Sequence, residues 1–187
     1  ESAIARHRSI AKDAWRIEMQ TPAAILESYR WLRIGPAEIS QHRDGLVVLD
    51  PMARFATAVG LFDRTQAPKA DDRQIARIIA DFNTAIDSTP AFFWIVTPDN
   101  RRETQVMAGR AWGRAQLAAT TQGLVMQPLS QALQEYDEQK APYEAIHQML
   151  GAGLAPHGQT VQMWARLGFG PDIEPAPRRG LAAHLRT

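Results

Sequence analysis

Side chains able to do chemistry are sparse in this chain of 187 residues. Its five histidines, His7, His42, His147, His157 and His184, are scattered. No two stand at the helical spacing of a metal-ligand pair and none has a carboxylate set to polarise it, so each reads as a surface or structural residue. There is no cysteine, which removes disulfides, thiolate metal sites and thiol nucleophiles together. Glu135, Asp137 and Glu138 are close in sequence but read as a solvated run, not as an acid and base pair. No P-loop, dinucleotide fingerprint or nucleophile motif occurs. The cations offer more. Arg178 and Arg179 are adjacent, and a guanidinium is shaped for phosphate oxygens, although two arginines near a terminus are as readily read as solvated. Arg110 and Arg114 stand one helical turn apart and cannot both enter a core unpaired; carboxylates across an interface would suit them.

The stretch from Arg101 to Gln131 organises the elements around these residues. Val106, Ala108, Ala111, Trp112, Ala115, Ala118 and Ala119 recur at helical spacing, and Gly109, Gly113 and Ala115 would let another element come close. The pattern predicts a long helix, capped by Asp99-Asn100, buried nearly all round and stopped at Gly123. Leu124 to Met126 is long enough for a short strand, which Pro128 ends. Upstream, Ala91 to Thr97 is a β-branched and aromatic run between prolines, predicted as a strand buried on both faces. Downstream, Ser130 to Tyr136 has a helical look, but its glutamine-rich content reads equally as a loop or a single turn. Pro142 to Leu150 should be a helix, 151–158 a loop, Thr160 to Phe169 a central strand, and the proline-rich 170–177 an extended tail.

The first third reads as helical. Ser2 to Gln20 is amphipathic, with Ile4, Ile10, Ala14, Trp15 and Ile17 on its apolar side. Thr21-Pro22 should start a second helix from Ala23 to Leu32, broken by Gly35-Pro36. A short helix from Ala37 to His42, an extended Leu46 to Leu49 and an Asp50-Pro51-capped helix from Met52 to Gly60 follow. Thr65 to Ala70 is the expected loop, and Asp71-Asp72 the start of an amphipathic helix to Ser88. Trp112 and Trp164 are expected in the core, and Trp31 and Tyr29 in packing before a substrate opening. Apolar residues make up 45% and charged residues 22%, ordinary for a globular protein, and the net charge of +1 leaves no footprint for nucleic acid. No run suggests a membrane span, and a soluble, cytoplasmic setting is expected before a periplasmic one. The opening Glu1-Ser-Ala-Ile lacks an initiator methionine, so an upstream piece is expected to be missing.

The run Gly109-Arg-Ala-Trp112, Arg114, Leu117-Ala-Ala-Thr120 and Gly123-Leu, followed by Gln127-Pro-Leu-Ser-Gln131, resembles the central helix and flavin-face turn of nitroreductase-like FMN oxidoreductases. It is most similar to the Acg-family branch, in which two such halves share one chain. Leu129 to Tyr136, the Val161 to Gly170 segment and the closing Pro175-Ala-Pro177-Arg178 fit the same pattern in order, and the resemblance is strongest from about residue 91 onward.

The resemblance implies an α+β fold, a small mixed sheet flanked by many helices around the long helix. Residues 1–187 form one nitroreductase-like domain in this view, with 1–65 as a helical connector and 71–187 as the core lobe. It implies FMN, with NAD(P)H as electron donor and a nitroaromatic, quinone or similar small molecule as acceptor. The flavin would then perform the redox step, which suits a chain with no catalytic side chain of its own. Within that site the amides of Ser130 and Gln131 would meet the flavin N5 edge, Pro128 and Leu129 would shape the wall, and Arg178 and Arg179 would hold the phosphate. Arg6-His-Arg-Ser9 is superficially similar to the family's N-terminal phosphate signature, but a solvated basic helix face fits the surrounding period better. A second nitroreductase-like lobe, from a missing N-terminal half or a homodimer, is the expected partner of the central helix. The alternatives are a flavin-sequestering or ligand-binding protein of the same fold without turnover, and a helical interaction module.

Overall fold

The computed structural model describes residues 2–69, 72–153 and 158–185. Ser2 caps the first helix, α1 (Ala3–Gln20), its hydroxyl accepting the Ala5 amide hydrogen at 3.2 Å. At its far end the Thr21 hydroxyl donates back to the Ile17 carbonyl at 2.7 Å, so Thr21 closes α1. The next helix is α2 (Pro22–Arg30), opened by proline at its first position. Strand β1 (Leu32–Ile34), helix α3 (Gly35–His42), strand β2 (Leu46–Val48) and helix α4 (Pro51–Ala58) come next. The Asp50 carboxylate accepts from the Ala53 amide at 2.8 Å and caps α4, as its sequence predicts.

Asp72 caps α5 (Arg73–Asp87) through the amides of Gln74 and Ile75, as expected; its neighbour Asp71 lies outside the described residues. Strand β3 (Ala91–Thr97) leads to the long helix α6 (Arg102–Thr121), which ends where expected. Gly123 takes φ of +70°, and the amides of Gly123 and Leu124 bond back to the carbonyls of Thr120 and Ala119. Strand β4 (Val125–Pro128), 3₁₀ turns at Gln131–Leu133 and Asp137–Gln139, helix α7 (Lys140–Met149), strand β5 (Thr160–Gly168) and a last 3₁₀ turn at Leu181–His184 complete the order.

Two compact units result, the first comprising residues 1–21 and 70–171, the second 22–69 and 172–187. The division differs from a connector up to residue 65 and a lobe from 71. α1 belongs with the later residues because Ala11 and Ala14 sit in one core with Ile86, Leu129, Ala132, Ile146, Val161 and Trp164. The first unit is built on an antiparallel sheet of three strands in the order β3-β5-β4, so β5 is central, as expected. The second holds a parallel pair, β1 and β2, in register Leu32 with Leu46 and Ile34 with Val48. The fold is therefore mixed α+β. Among the described residues no helix is long and apolar enough to cross a membrane.

Four local readings need correction. α6 is not buried all round: Ala108 is its one buried residue, while Val106, Met107 and Leu117 are exposed, because a narrow sheet covers only one stripe of the helix. Its cap is not a carboxylate at the N-cap position either. Arg101 holds that position without a side-chain bond, and Asp99 steadies the turn from outside by accepting from the Arg101 amide and the Thr104 hydroxyl. β3 is half-buried with Trp94 exposed, not buried on both faces, as befits an edge strand. The stripe that α1 buries is His7, Ala11, Ala14 and Glu18, with Ile4 left exposed.

Candidate functional site

The turn after β4 is assembled from the sheet outward. Pro128 pairs with Ala165 as the last residue of an edge strand, a place where a missing amide hydrogen costs nothing. The Leu129 amide then donates to the Trp164 carbonyl at 2.8 Å, and its side chain, 2% exposed, enters the core. Leu129 therefore supports the turn from beneath and does not form an open wall. Ser130 is exposed and Gln131 half-buried, their carbonyls accepting from Leu133 and Gln134. Standing at the opening of a 3₁₀ turn, the amides of Ser130 and Gln131 have no partner within it, as at any helix start.

Two fully buried groups hold this corner. Gln139 donates from Nε2 to the Ala14 carbonyl at 2.7 Å and to the Tyr136 hydroxyl at 3.2 Å, tying the second 3₁₀ turn to α1. Burial pushes the Tyr136 hydroxyl above its ordinary value. His147 donates from Nδ1 to the Tyr143 carbonyl and accepts the Val161 amide hydrogen at Nε2, so its role is structural, as expected. Further along β5, Arg166 donates to Gln127 Oε1 at 2.6 Å and to the Ala85 carbonyl at 2.9 Å; burial lowers its guanidinium below the usual value. Trp164 is fully buried, the core residue that its sequence suggests.

The structure brings Pro128, Leu129, Ser130 and Gln131 into one turn of the first unit, while Arg178 and Arg179 belong to the second. Both arginines are exposed. Arg179 Nη1 stands 3.7 Å from Asp44 Oδ2, but Asp44 is held at 2.8 Å by Arg33, so Arg179 is only loosely engaged. In the same unit Glu38 accepts both Arg64 guanidinium nitrogens and the Ile34 amide, and the Arg64 bonds chiefly pull its carboxyl below the ordinary range. A shallow groove of about 460 Å³ lined by Ile34, Pro51, Arg54, Phe55, Thr57 and Ala58 contains none of the expected site residues.

The N-terminal basic tract is a solvated face only in part. Arg6 and Ser9 are exposed, Arg8 donates to the Thr89 carbonyl at 2.8 Å, and His7 is buried against the sheet. Sequence reasoning missed His7 and Gln139. For His7 a signal existed, since it stands one turn before Ala11 and two before Ala14 on the stripe that packs inward. His42 and His184 are exposed, and His157 lies outside the described residues. Among the described residues no group of three histidine, aspartate or glutamate side chains could hold a metal ion.

The described residues make a mixed α+β fold in which the Pro128–Gln131 turn follows the edge strand β4. No protein-family model, curated protein or solved structure matches the chain.

Proposed function

We propose that this chain is a nitroreductase-like, FMN-dependent lobe passing electrons from NAD(P)H to a nitroaromatic, quinone or similar acceptor. The observation that supports the reading is the turn itself: two successive amides at Ser130 and Gln131 stand at the start of a 3₁₀ turn, where the turn itself supplies them no acceptor, above the buried Leu129. Such amides suit the hydrogen-bond acceptors at a flavin edge, where the bound group itself would carry the redox chemistry. Ser130 and Gln131 would hold the ring edge, Pro128 would limit the approach sterically, and Arg178 and Arg179 would bind the phosphate. When bound, FMN supplies the transfer of electrons between donor and acceptor. The protein residues orient the ring and neutralise phosphate charge. A second lobe, from an upstream half or another copy, would cover the exposed side of α6.

One observation favours a second reading, a flavin-sequestering protein without turnover. Arg8 is committed to the Thr89 carbonyl and His7 to the core, so the N-terminal basic tract offers the phosphate little beyond Arg6. Spectra separate the two readings. Titration of the purified chain with FMN should produce a protein-bound flavin band that bleaches on anaerobic addition of NADPH or NADH. A band that binds but does not bleach selects sequestration, and no binding at saturating FMN ends both. Arg178→Ala with Arg179→Ala should weaken FMN affinity by about tenfold or more if the pair holds the phosphate.

A further inference from the structure

His7 is 4% exposed, and the flavin reading makes no use of it. Its imidazole lies among three aromatic rings, stacked on Phe92 at 4.6 Å, Trp94 at 5.4 Å and Trp164 at 5.7 Å between ring centres. The Trp164 indole Nε1–H donates to His7 Nδ1 at 3.1 Å. An acceptor at Nδ1 requires the neutral ring with its proton on Nε2. Trp164 is also the residue from which the turn hangs, since its carbonyl accepts the Leu129 amide hydrogen at 2.8 Å. One residue thus joins α1, through its side chain, to the start of the Pro128–Gln131 turn, through its backbone.

We propose that His7 is an acid-sensitive pin between α1 and the sheet, seating Trp164 beneath that turn when neutral and releasing both when protonated. The inference does not depend on flavin binding. Protonation would set N–H against N–H, and among the described residues the charge acting on the ring is the like charge of Arg6. Arg6, beside it on α1, adds repulsion. β3 faces it with Phe92 and Trp94, and β5 with Trp164. Of the charged and titratable groups on the other elements around α1, Asp87 of α5 is engaged by Lys12, Arg166 of β5 by Gln127 and Ala85, His147 of α7 by Tyr143 and Val161, and Tyr136 by Gln139; Arg73, Arg77 and Asp81 of α5, Asp137, Glu138, and Lys140 and Glu144 of α7 are the other charged groups on these elements.

Burial first, and then the Arg6 charge, hold the imidazole below its ordinary value of 6.5. The unfolded chain therefore takes up this proton at a higher pH than the folded one. Stability is complete above about pH 6.5 and falls as the pH drops below it. In the full chain, denaturant unfolding followed by tryptophan fluorescence at about pH 7.5 and about pH 5.5 should show this loss. His7→Asn keeps an acceptor for the indole but cannot protonate, so the unfolding constant of the wild type should rise by up to about tenfold more than that of the variant. Equal acid dependence in the two proteins overturns the proposal. Should His7→Asn fail to fold, wild-type NMR decides. The His7 ring must titrate below about 6.5 and the Trp164 indole hydrogen signal must move with it. A ring that titrates at or above that value, or an indole signal that ignores it, overturns the pin.

Discussion

α1 and α6 are the long helices of the first unit, and they are held in different ways. α1 turns His7, Ala11, Ala14 and Glu18 inward, and polar partners on other elements reach back to it: the Trp164 indole to His7, Gln139 to the Ala14 carbonyl, Asp87 to Lys12. α6 is longer, rich in alanine and glycine, and buries only Ala108, with Trp112 tilted against Phe93 at 5.9 Å. Its glycines at 109 and 113 meet nothing within 4 Å of where a side chain would begin. Small residues allow a close approach without producing one. Beyond the apolar packing of Ala11 and Ala14, α1 has directional bonds, those of His7 and the Ala14 carbonyl being to groups costly to leave unpaired in a core.

The sharpest break of this contrast comes from removing what α1 packs on. Trp164→Ala empties the space beneath Leu129 and strips His7 of its donor, so the unfolding free energy should fall by about 3–5 kcal/mol in a denaturant titration. A loss below about 1 kcal/mol would mean that the corner is held by something other than this ring. Gln139→Ala is a narrower cut. It removes the bonds to the Ala14 carbonyl and the Tyr136 hydroxyl at a site with no exposure, and should cost about 1–3 kcal/mol by the same measurement. An unchanged midpoint would show that the second 3₁₀ turn does not hold α1.

These two residues also mark where sequence reading stops. The elements were legible where the signal is local: Asp72 and Asp50 before their helices, Gly123 at a positive φ, and the β-branched run at Ala91–Thr97. The central place of β5 agrees with its reading as a central strand, although alternation itself reports only the two faces of a sheet and not its neighbours. Burial was legible only in part, because it depends on which surface arrives opposite. His7 looks like a member of a basic run until the 7-11-14-18 stripe is followed to β3 and β5. Gln139 lies in a polar, charged tract and gives no hint that α1 will need its amide. In the candidate site, the turn at Pro128–Gln131 follows from Pro128 and the strand before it, whereas the exposure of Arg178 and Arg179 says nothing of what they bind.

The smallest expected effect tests the other helix. Leu117 is 71% exposed on α6, so in a lone chain Leu117→Ser should change the unfolding free energy by no more than about 0.5 kcal/mol. Its helix propensity differs little from that of the leucine, and no core contact is lost. The proposed second lobe changes that expectation. If another copy covers this side of α6 in solution, the same substitution removes apolar area from an interface, and light scattering should show the assembly dissociating at a higher protein concentration. The unfolding midpoint of the wild type, but not of the variant, should then rise with protein concentration, because association stabilises only the folded chain. A midpoint independent of concentration in both proteins, together with an unchanged monomeric mass, would show that copies of this chain do not pair through α6. The contrast with α1 would then be between a helix packed within this chain and one whose exposed side takes no second copy of it.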